Sequence, residues 1–450
     1  MTVSRESGAA PRPGAAPRPG AAPGVGGGEV ASMRPAWAEI DLGAIRHNAS
    51  VLAEIAAPAA VCAVVKAAGY GHGAVAAARA ALEGGASRLA VALVAEGREL
   101  REAGIVAPIL VLSQPPPEAM AEIVATGLTP TLYTDAGVDA LAAAVRAAAA
   151  RTGRPPGEGP QPVHIKVDTG MHRVGAQPGD VVALARRVAS NPDLALEGVF
   201  THLAVADEVD DPYTDLQIDR FELVVAELAA AGVRPPLLHA ANSAGTLFHP
   251  RARYDMVRCG IALYGLSPAA EMRSHRDVAR LRPALALKAR VSHVKEVEAG
   301  ERLSYGLRYQ LTERSVVATL PLGYADGVTR NLAAAGGTVL IGGRPCRLAG
   351  TVTMDQILVD CGPGAHVGVG DEAVLIGAQG AERIDAWDWA LRAGTIAYEV
   401  VCAVSARVPR TAAQVPPCSA PVLPSSAQVL PSSAPVLPSS AQVRRTSGPG

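Results

Sequence analysis

The sequence predicts an α/β chain: a (β/α)8 barrel of the TIM type followed by a mostly β C-terminal domain. Three observations carry this expectation. Between about residues 36 and 270, short apolar runs alternate with alanine-rich stretches that leave room for helices, the pattern of parallel βα units. After Pro283 the period changes: "ALKARVSHVKEV" alternates apolar and polar residues, and the strands that follow are joined by glycine turns. Polar residues able to do chemistry fall repeatedly at the ends of the apolar runs, where a βα barrel keeps its reactive groups. Counting units alone leaves a doubly wound sheet open.

In chain order, residues 1–32 hold "GAAPRPGAAPRPGAAPGVGGG", a repeated six-residue unit without the apolar core of a signal peptide. A disordered Pro/Gly-rich extension is expected there. Residues 33–270 are expected to form the barrel, with "VCAVV", "LAVAL", "PILVL", "TPTLYT", "VHIKV", "LEGVFTH", "LLHAAN" and "MVRCGIALYG" as its eight strands. Residues 271–410 read as the β domain, with "SVVATLPLG", "GTVLIGGRPCRLAGTVTMDQILVD" and "DEAVLIGAQ" as strands and "IDAWDWALRA" as its first long helix. From 411 to 450, "SSAQVLPSSAPVLPSSAQV" repeats a seven-residue unit. Pro424, Pro431 and Pro438 remove a helix donor at every repeat, so a coiled coil is excluded and a disordered tail expected.

Composition narrows the function. With 450 residues, a net charge of −1 and no long basic block, the chain is an improbable nucleic-acid binder. Its six cysteines are scattered without a C-x-x-C pair, which favours reduced thiols in a cytoplasmic protein over zinc or disulfides. No uncharged apolar stretch reaches membrane-spanning length. Aromatics make up only 3% of the chain, yet Tyr70, Tyr264, Tyr305, Tyr324 and Tyr398 sit beside glycines or in dense motifs. That placement suggests chemistry.

Lys66 ends the first run in "AVVKAAGYGHG". A lysine there is either a snorkelling edge residue or a functional amine. Lys166 with "DTGMHR" ends the fifth run, His202 the sixth and "HAANS" the seventh, while Arg258 interrupts the eighth. On a barrel these would share one mouth. No dinucleotide, P-loop, zinc-protease or hydrolase motif occurs in a fitting context. The small groups suit a phosphate: "NSAG" could begin a helix capped by Ser243, and "CGIALYG" adds backbone donors at Gly260 and Ile261. A lysine amine, a phosphate cup and nearby tyrosines together suggest pyridoxal 5'-phosphate held covalently by Lys66.

The motifs "AVVKAAGYGHG", "KVDTGMHRVG", "FTHLAVAD", "HAANSAG", "VRCGIALYG", "LSYG", "GYADG", "TVTMDQ" and "AYEVVCAVSARVPR" occur in this order. Together they resemble those of the alanine racemase family, over roughly residues 33–410. The resemblance implies an isomerase that interconverts L- and D-alanine on pyridoxal phosphate, supplies D-alanine for cell-wall peptidoglycan, and works as a homodimer with sites completed across the interface. It implies Lys66 and the partner subunit's Tyr305 as two bases on opposite faces of the substrate; by chemistry alone Tyr309 is an equal candidate to Tyr305. It implies that Tyr70, Ser243, Gly260, Ile261 and Tyr398 hold the phosphate, and that His202 and Asn242 line the ring. Arg173 resembles the family's substrate-side arginine near the cofactor phenolate, and the backbone N–H of Met354 would meet the substrate carboxylate. Family members can carry a carbamylated lysine at the position of Lys166, where a carbamate would pair with Arg173. Ala68-Gly69 stands where the family usually has Asn-Ala, a change expected to loosen the local loop.

By the same resemblance Arg258 faces the pyridine nitrogen. A fixed guanidinium disfavours a second positive charge beside it, so the ring stays unprotonated. That suits racemisation, which needs only a brief carbanion, better than transamination. It also argues against a fold-related decarboxylase of basic amino acids, which would place an acidic group there. A racemase of serine or another small amino acid stays open. A non-catalytic pyridoxal-phosphate carrier would need neither Tyr305 nor the second domain.

Overall fold

The computed structural model describes residues 34–152 and 159–413. The expectations for the extension at 1–32 and for the repeats beyond 413 lie outside the described residues. Strand β1 (Ala36–Ile40) comes first, and then all eight expected runs form strands. These are β2 (Ala60–Val64), β3 (Arg88–Val91), β4 (Ile109–Val111), β5 (Thr129–Leu132), β6 (Gln161–Lys166), β7 (Leu194–Phe200), β8 (Leu237–His239) and β9 (Met256–Cys259). They pair in parallel in the order β8-β7-β6-β5-β4-β3-β2-β9. The last strand thus lies beside the first, with no reversal of strand order as in a doubly wound sheet. The seam between β8 and β9 has no strand ladder and is joined by Asp255 N–H to Leu238 O (3.0 Å) and Arg258 N–H to Ala241 O (2.9 Å). The result is a nearly closed barrel.

Helices cover the outside because alanine at helical spacing lets them approach closely. Helix α1 (Leu42–Ala56) starts at Asp41, whose carboxylate accepts the Ala44 N–H at 2.8 Å. It buries Ile45, Ala49, Leu52 and Ala56, one face at spacings of three and four. Helix α2 (Ala74–Glu83) buries Ala74, Ala77, Ala78 and Ala81 in the same way. Helix α3 (Val94–Glu102) is opened by Glu96, whose Oε2 accepts the N–H groups of Ala92 (2.9 Å) and Leu93 (3.0 Å).

The later strands are β10 (Leu285–Arg290), β11 (His293–Val297), β12 (Arg302–Leu303), β13 (Tyr309–Gln310), β14 (Ser315–Leu320), β15 (Thr338–Ile341), β16 (Arg344–Leu348), β17 (Ile357–Asp360), β18 (Glu372–Gln379), β19 (Glu382–Ile384) and β20 (Arg410–Ala412). Most join one sheet in the order β11-β14-β17-β16-β15-β18-β10-β1-β20. The helix expected from "IDAWDWALRA" spans Ala386–Ala393. Two expectations need correction. The expected barrel range includes β1, but this strand pairs antiparallel with β10, because its alternating "AWAEI" suits a sheet covered on one face. Residues 411 and 412 were assigned to the tail, but they extend β20 alongside β1.

Candidate active site

Lys66 follows β2 directly and opens a turn of unusual hand. Ala67, Ala68, Gly69 and Tyr70 all have φ between 52° and 62°, one turn of left-handed helix. L-residues pay roughly 1–2 kcal/mol each for that geometry, so other groups must hold it. Gly69 N–H donates to Val65 O (2.9 Å), Gly71 N–H to Ala67 O (3.0 Å) and Gly73 N–H to Ala68 O (2.7 Å). Glu96 Oε1 accepts the Ala67 N–H at 2.6 Å. The departure at Ala68-Gly69 therefore yields a hydrogen-bonded turn: glycine takes a left-handed position without steric cost, and Gly69 is buried against α2.

The turn presents Lys66 to a cavity of about 690 Å³ at the carboxyl ends of the barrel strands. Tyr70, Arg173, His202, Asn242, Ser243, Arg258, Gly260, Ile261 and Tyr398 line the same cavity. So do Lys166, Asp207, Phe200 and Cys402. Lys66, Lys166, Arg173 and Arg258 stand against Asp207 alone among the lining residues, a surplus of positive charge. Burial, then Arg173, lowers the pKa of the Lys66 amine. Burial, with Arg258 and Arg173, lowers Lys166 to about 8. Both amines are thereby made more available as nucleophiles.

Arg258 is 3% exposed and has no carboxylate partner among the described residues. Its guanidinium donates to Thr201 O (2.8 Å) and Ala240 O (2.9 Å), to His239 Nδ1 (2.8 Å) and to His202 Nδ1 (3.1 Å). Burial lowers it to about 10, still well above neutrality. Burial and the Arg258 charge push His202 well below its ordinary pKa, so His202 is a neutral hydrogen-bonding group. Its Nδ1 accepts from Arg258, which leaves the proton on Nε2.

The anion-binding corner differs from the sequence reading in two details. Asn242, not Ser243, caps the short helix Ser243–Phe248, accepting the Gly245 N–H at 2.9 Å. The Gly260 N–H is not free: it donates to Ser243 Oγ at 2.9 Å, and Ala262 N–H adds a second bond at 3.3 Å. Ser243 is thus turned so that its own hydroxyl proton can be given to a ligand. The Ile261 N–H has no acceptor among the described residues. Tyr70 stacks on Tyr264 with ring centroids 5.1 Å apart and lies 6.3 Å from Tyr398.

Tyr305 and Met354 lie elsewhere. They line a second cavity, of about 510 Å³, with Tyr324, Arg330 and the 351–356 loop. Tyr305 is 75% exposed and Met354 51%, so neither is a core residue. The Tyr305 loop is held in strained backbone, with Ser304 at φ 63° and Leu307 at φ 50°. Thr351 Oγ1 donates to Tyr305 O (2.7 Å) and Ser304 Oγ to Thr351 O (2.7 Å). The Met354 N–H has no acceptor among the described residues, while Ala325 N–H donates to Met354 O at 3.1 Å. Tyr309 differs from Tyr305: its hydroxyl donates to Asp360 at 2.8 Å, and burial with that carboxylate raises it to about 12.

Comparison with known proteins decides the family. Residues 40–268 match the model of the alanine racemase N-terminal domain, and 284–412 that of the alanine racemase C-terminal domain. An alanine racemase of Symbiobacterium thermophilum is 50% identical over 382 residues, covering 85% of this chain and 98% of that protein. The chain belongs to the alanine racemase family. Alanine racemase from D-cycloserine-producing Streptomyces lavendulae superposes with a TM-score of 0.79 at 39% identity, covering 85% of this chain and 98% of its own. A histidine racemase from Leuconostoc mesenteroides subsp. sake has the same fold, with a TM-score of 0.76 at 28% identity over 85% of this chain and 99% of its own.

Measured against the alanine racemase motifs, sequence reasoning missed several residues around the barrel cavity. Glu96 holds the left-handed turn, and His239 supports Arg258. Cys402 lines the cavity. "HAANS" had flagged the segment that contains His239, but nothing in the sequence around Glu96 points toward Lys66.

Proposed function

We propose that this chain interconverts L- and D-alanine with pyridoxal 5'-phosphate bound at Lys66, and so supplies D-alanine for peptidoglycan in the cytoplasm. The observation that carries the reading is the division of the chemistry between two cavities. A cationic pocket with a nucleophilic amine lies on the barrel, and a strained loop presenting an exposed tyrosine joins β12 to β13, outside the barrel. Each half is incomplete alone, which supports a homodimer in which Tyr305 of one subunit serves the barrel of the other.

The lining fits the cofactor. Its surplus of cations suits a phosphate-bearing anion, and Ser243 O–H, Ile261 N–H, Tyr70 and Tyr398 provide hydrogen-bonding groups at one end. Arg258 would face the ring nitrogen, between His202 and Asn242. When bound, the cofactor supplies the electron-withdrawing system that acidifies the substrate α-carbon. The rest falls to the protein. Lys66 takes or gives the α-proton on one face, and the partner's tyrosine does so on the other. Arg173 would stand on the substrate side near the cofactor phenolate, and the backbone N–H of the partner subunit's Met354, beside Tyr305 in the second cavity, would meet the substrate carboxylate. A tyrosine with an ordinary pKa of about 10 needs a hydrogen-bonding neighbour to act as a base near neutrality, and His202, neutral and linked to Arg258, is the candidate. No helix among the described residues is long and apolar enough to cross a membrane.

The test is complementation. Lys66→Ala and Tyr305→Phe proteins are each expected to be inactive in an optical-rotation assay with L-alanine. Subunits mixed and re-dimerised in equal amounts are expected to regain about a quarter of full activity, since half the dimers then hold one intact site. No recovery would place both residues in one subunit's site, or remove Tyr305 from the reaction. Because a histidine racemase has the same fold, the assay is run against a panel of L-amino acids. Faster turnover of serine or histidine than of alanine would reassign the substrate.

A further inference from the structure

Behind Arg258 a line of buried and, at its far end, half-buried side chains crosses the barrel interior, and its hydrogen bonds can run in only one direction. Arginine has donors and no acceptor. Arg258 Nη1 lies 2.8 Å from His239 Nδ1, so that nitrogen must offer its lone pair. A neutral His239 then carries its proton on Nε2, which lies 2.8 Å from His164 Nδ1. His164 is in turn protonated on Nε2, 3.1 Å from Glu197 Oε2. The other oxygen of Glu197 accepts from Arg88 Nη2 at 2.7 Å. His239 is 0% and His164 1% exposed, and burial pushes both pKa values down, as the neutral assignment requires. Burial pushes Glu197 up, but His164 and Arg88 outweigh it and hold the carboxyl down to about 2.

The fold makes specific room for this line. The β6–β7 register shifts between Val163 and His164, which re-aims the histidine ring as bulges do. Gly198 stands opposite His164 in that pairing, and a Cβ on it would fall 2.6 Å from the ring. Phe200 stacks on His239 at 4.5 Å and 8° and lies under the Arg258 guanidinium at 5.0 Å. The line starts at Arg88, the first residue of β3, and ends at Arg258 in the cavity lining.

We propose that His239, His164 and Glu197 are positioning residues for Arg258. They fix the rotation of its guanidinium and hold the compensating carboxylate two imidazole rings away. A carboxylate in direct contact would fix Arg258 equally well, but it would bring negative charge to the cavity and favour a protonated ring there. The ladder gives the arginine a polarised acceptor instead, so the cavity senses a guanidinium cation with no adjacent anion. The consequence for catalysis rests on the proposed placement of the cofactor's ring nitrogen against Arg258. The ladder itself does not.

Two measurements separate these claims. In full-length protein labelled with 15N-histidine, multiple-bond 15N–1H NMR reports the tautomer of each ring, and His164→Gln and His239→Gln assign the signals. Both rings are expected to be neutral with the proton on Nε2; an Nδ1–H or doubly protonated ring at either position overturns the ladder, whatever the enzyme's substrate. The second measurement follows absorbance of the cofactor-loaded protein with alanine, as the ratio of side transamination to racemisation. His164→Leu should raise that ratio by about tenfold, the effect of one pKa unit on the ring nitrogen. His164→Gln should restore it, because its amide can accept from His239 and donate to Glu197. Should the leucine protein fail to fold, Glu197→Ala, at the half-buried end of the line, takes away the acceptor of His164 and should raise the ratio in the same direction. An unchanged ratio in a folded variant, or no restoration by glutamine, removes the positioning role. Correct tautomers with no turnover of any amino acid would instead overturn the proposed reaction and leave the ladder standing.

Discussion

Arg258 tests the residue-scale account most sharply, because its environment holds histidines and carbonyl oxygens where a carboxylate would be the simplest partner. Arg258→Glu is expected to retain cofactor and to convert it slowly to its amine form with alanine, seen as loss of the cofactor's long-wavelength absorbance. Loss of cofactor, or no such conversion, would deny Arg258 its place at the ring nitrogen. Lys166 makes a second prediction. Carbamate formation joins the lysine nitrogen to the carbon of CO2 with loss of a proton, so it needs the uncharged amine. With its pKa lowered to about 8 from 10.5, the uncharged fraction grows as pH rises from 6 through 8. At fixed dissolved 13CO2, a 13C carbamate resonance should grow over that range and vanish in Lys166→Ala; a resonance that survives the substitution lies on another amine. Among these residues the barrel set was legible because polar side chains interrupt apolar runs. The choice of Tyr305 over Tyr309 came only from family resemblance, and the bond from Tyr309 to Asp360 now supports it physically. Gly260 was misread as a free donor because the Ser243 hydroxyl that takes its N–H lies 17 residues away in sequence.

At the scale of the element, the turn after β2 is the feature least visible in sequence. "KAAGY" contains one glycine, yet four consecutive residues are left-handed. Propensity argues against that turn, and only backbone hydrogen bonds and Glu96, brought near by the β2–β3 pairing, hold it. Gly69→Ala should destabilise the protein by about 1–2 kcal/mol, since its Cβ would also meet the Ala74 backbone at 3.3 Å. Ala68→Asn should be neutral or stabilising, because asparagine tolerates left-handed backbone. Thermal unfolding of the two variants checks both signs; a stable Gly69→Ala protein would mean that the turn can relax to ordinary backbone. The barrel strands, by contrast, were all legible, because strands largely buried on both faces read as mostly apolar runs. His164 and Glu197 escaped notice for a related reason: they lie inside such runs, and only the closed barrel brings them to one axis.

For the whole molecule, the plan of a barrel followed by a mostly β part was legible from the change of period near Pro283, while the place of β1 was not. Its partners β10 and β20 lie about 250 and 370 residues further along the chain, and nothing local specifies pairing over that separation. The separation of Tyr305 from Lys66 into different cavities is also a property of the molecule rather than of any motif, and the dimer proposal exists to rejoin them. The central claim is that two groups on two subunits handle the α-proton, with Lys66 serving the D-enantiomer and the partner subunit's Tyr305 the L-enantiomer. The direct measurement is proton NMR of Tyr305→Phe protein in heavy water, started separately from D- and L-alanine. Racemisation should fall by roughly 10²–10⁴-fold, the usual worth of a general acid–base group, while D-alanine still exchanges its α-proton through Lys66 and accumulates as the deuterated D-enantiomer. Equal loss of exchange from both enantiomers, or racemisation near the normal rate, would contradict the account and move the second base away from Tyr305.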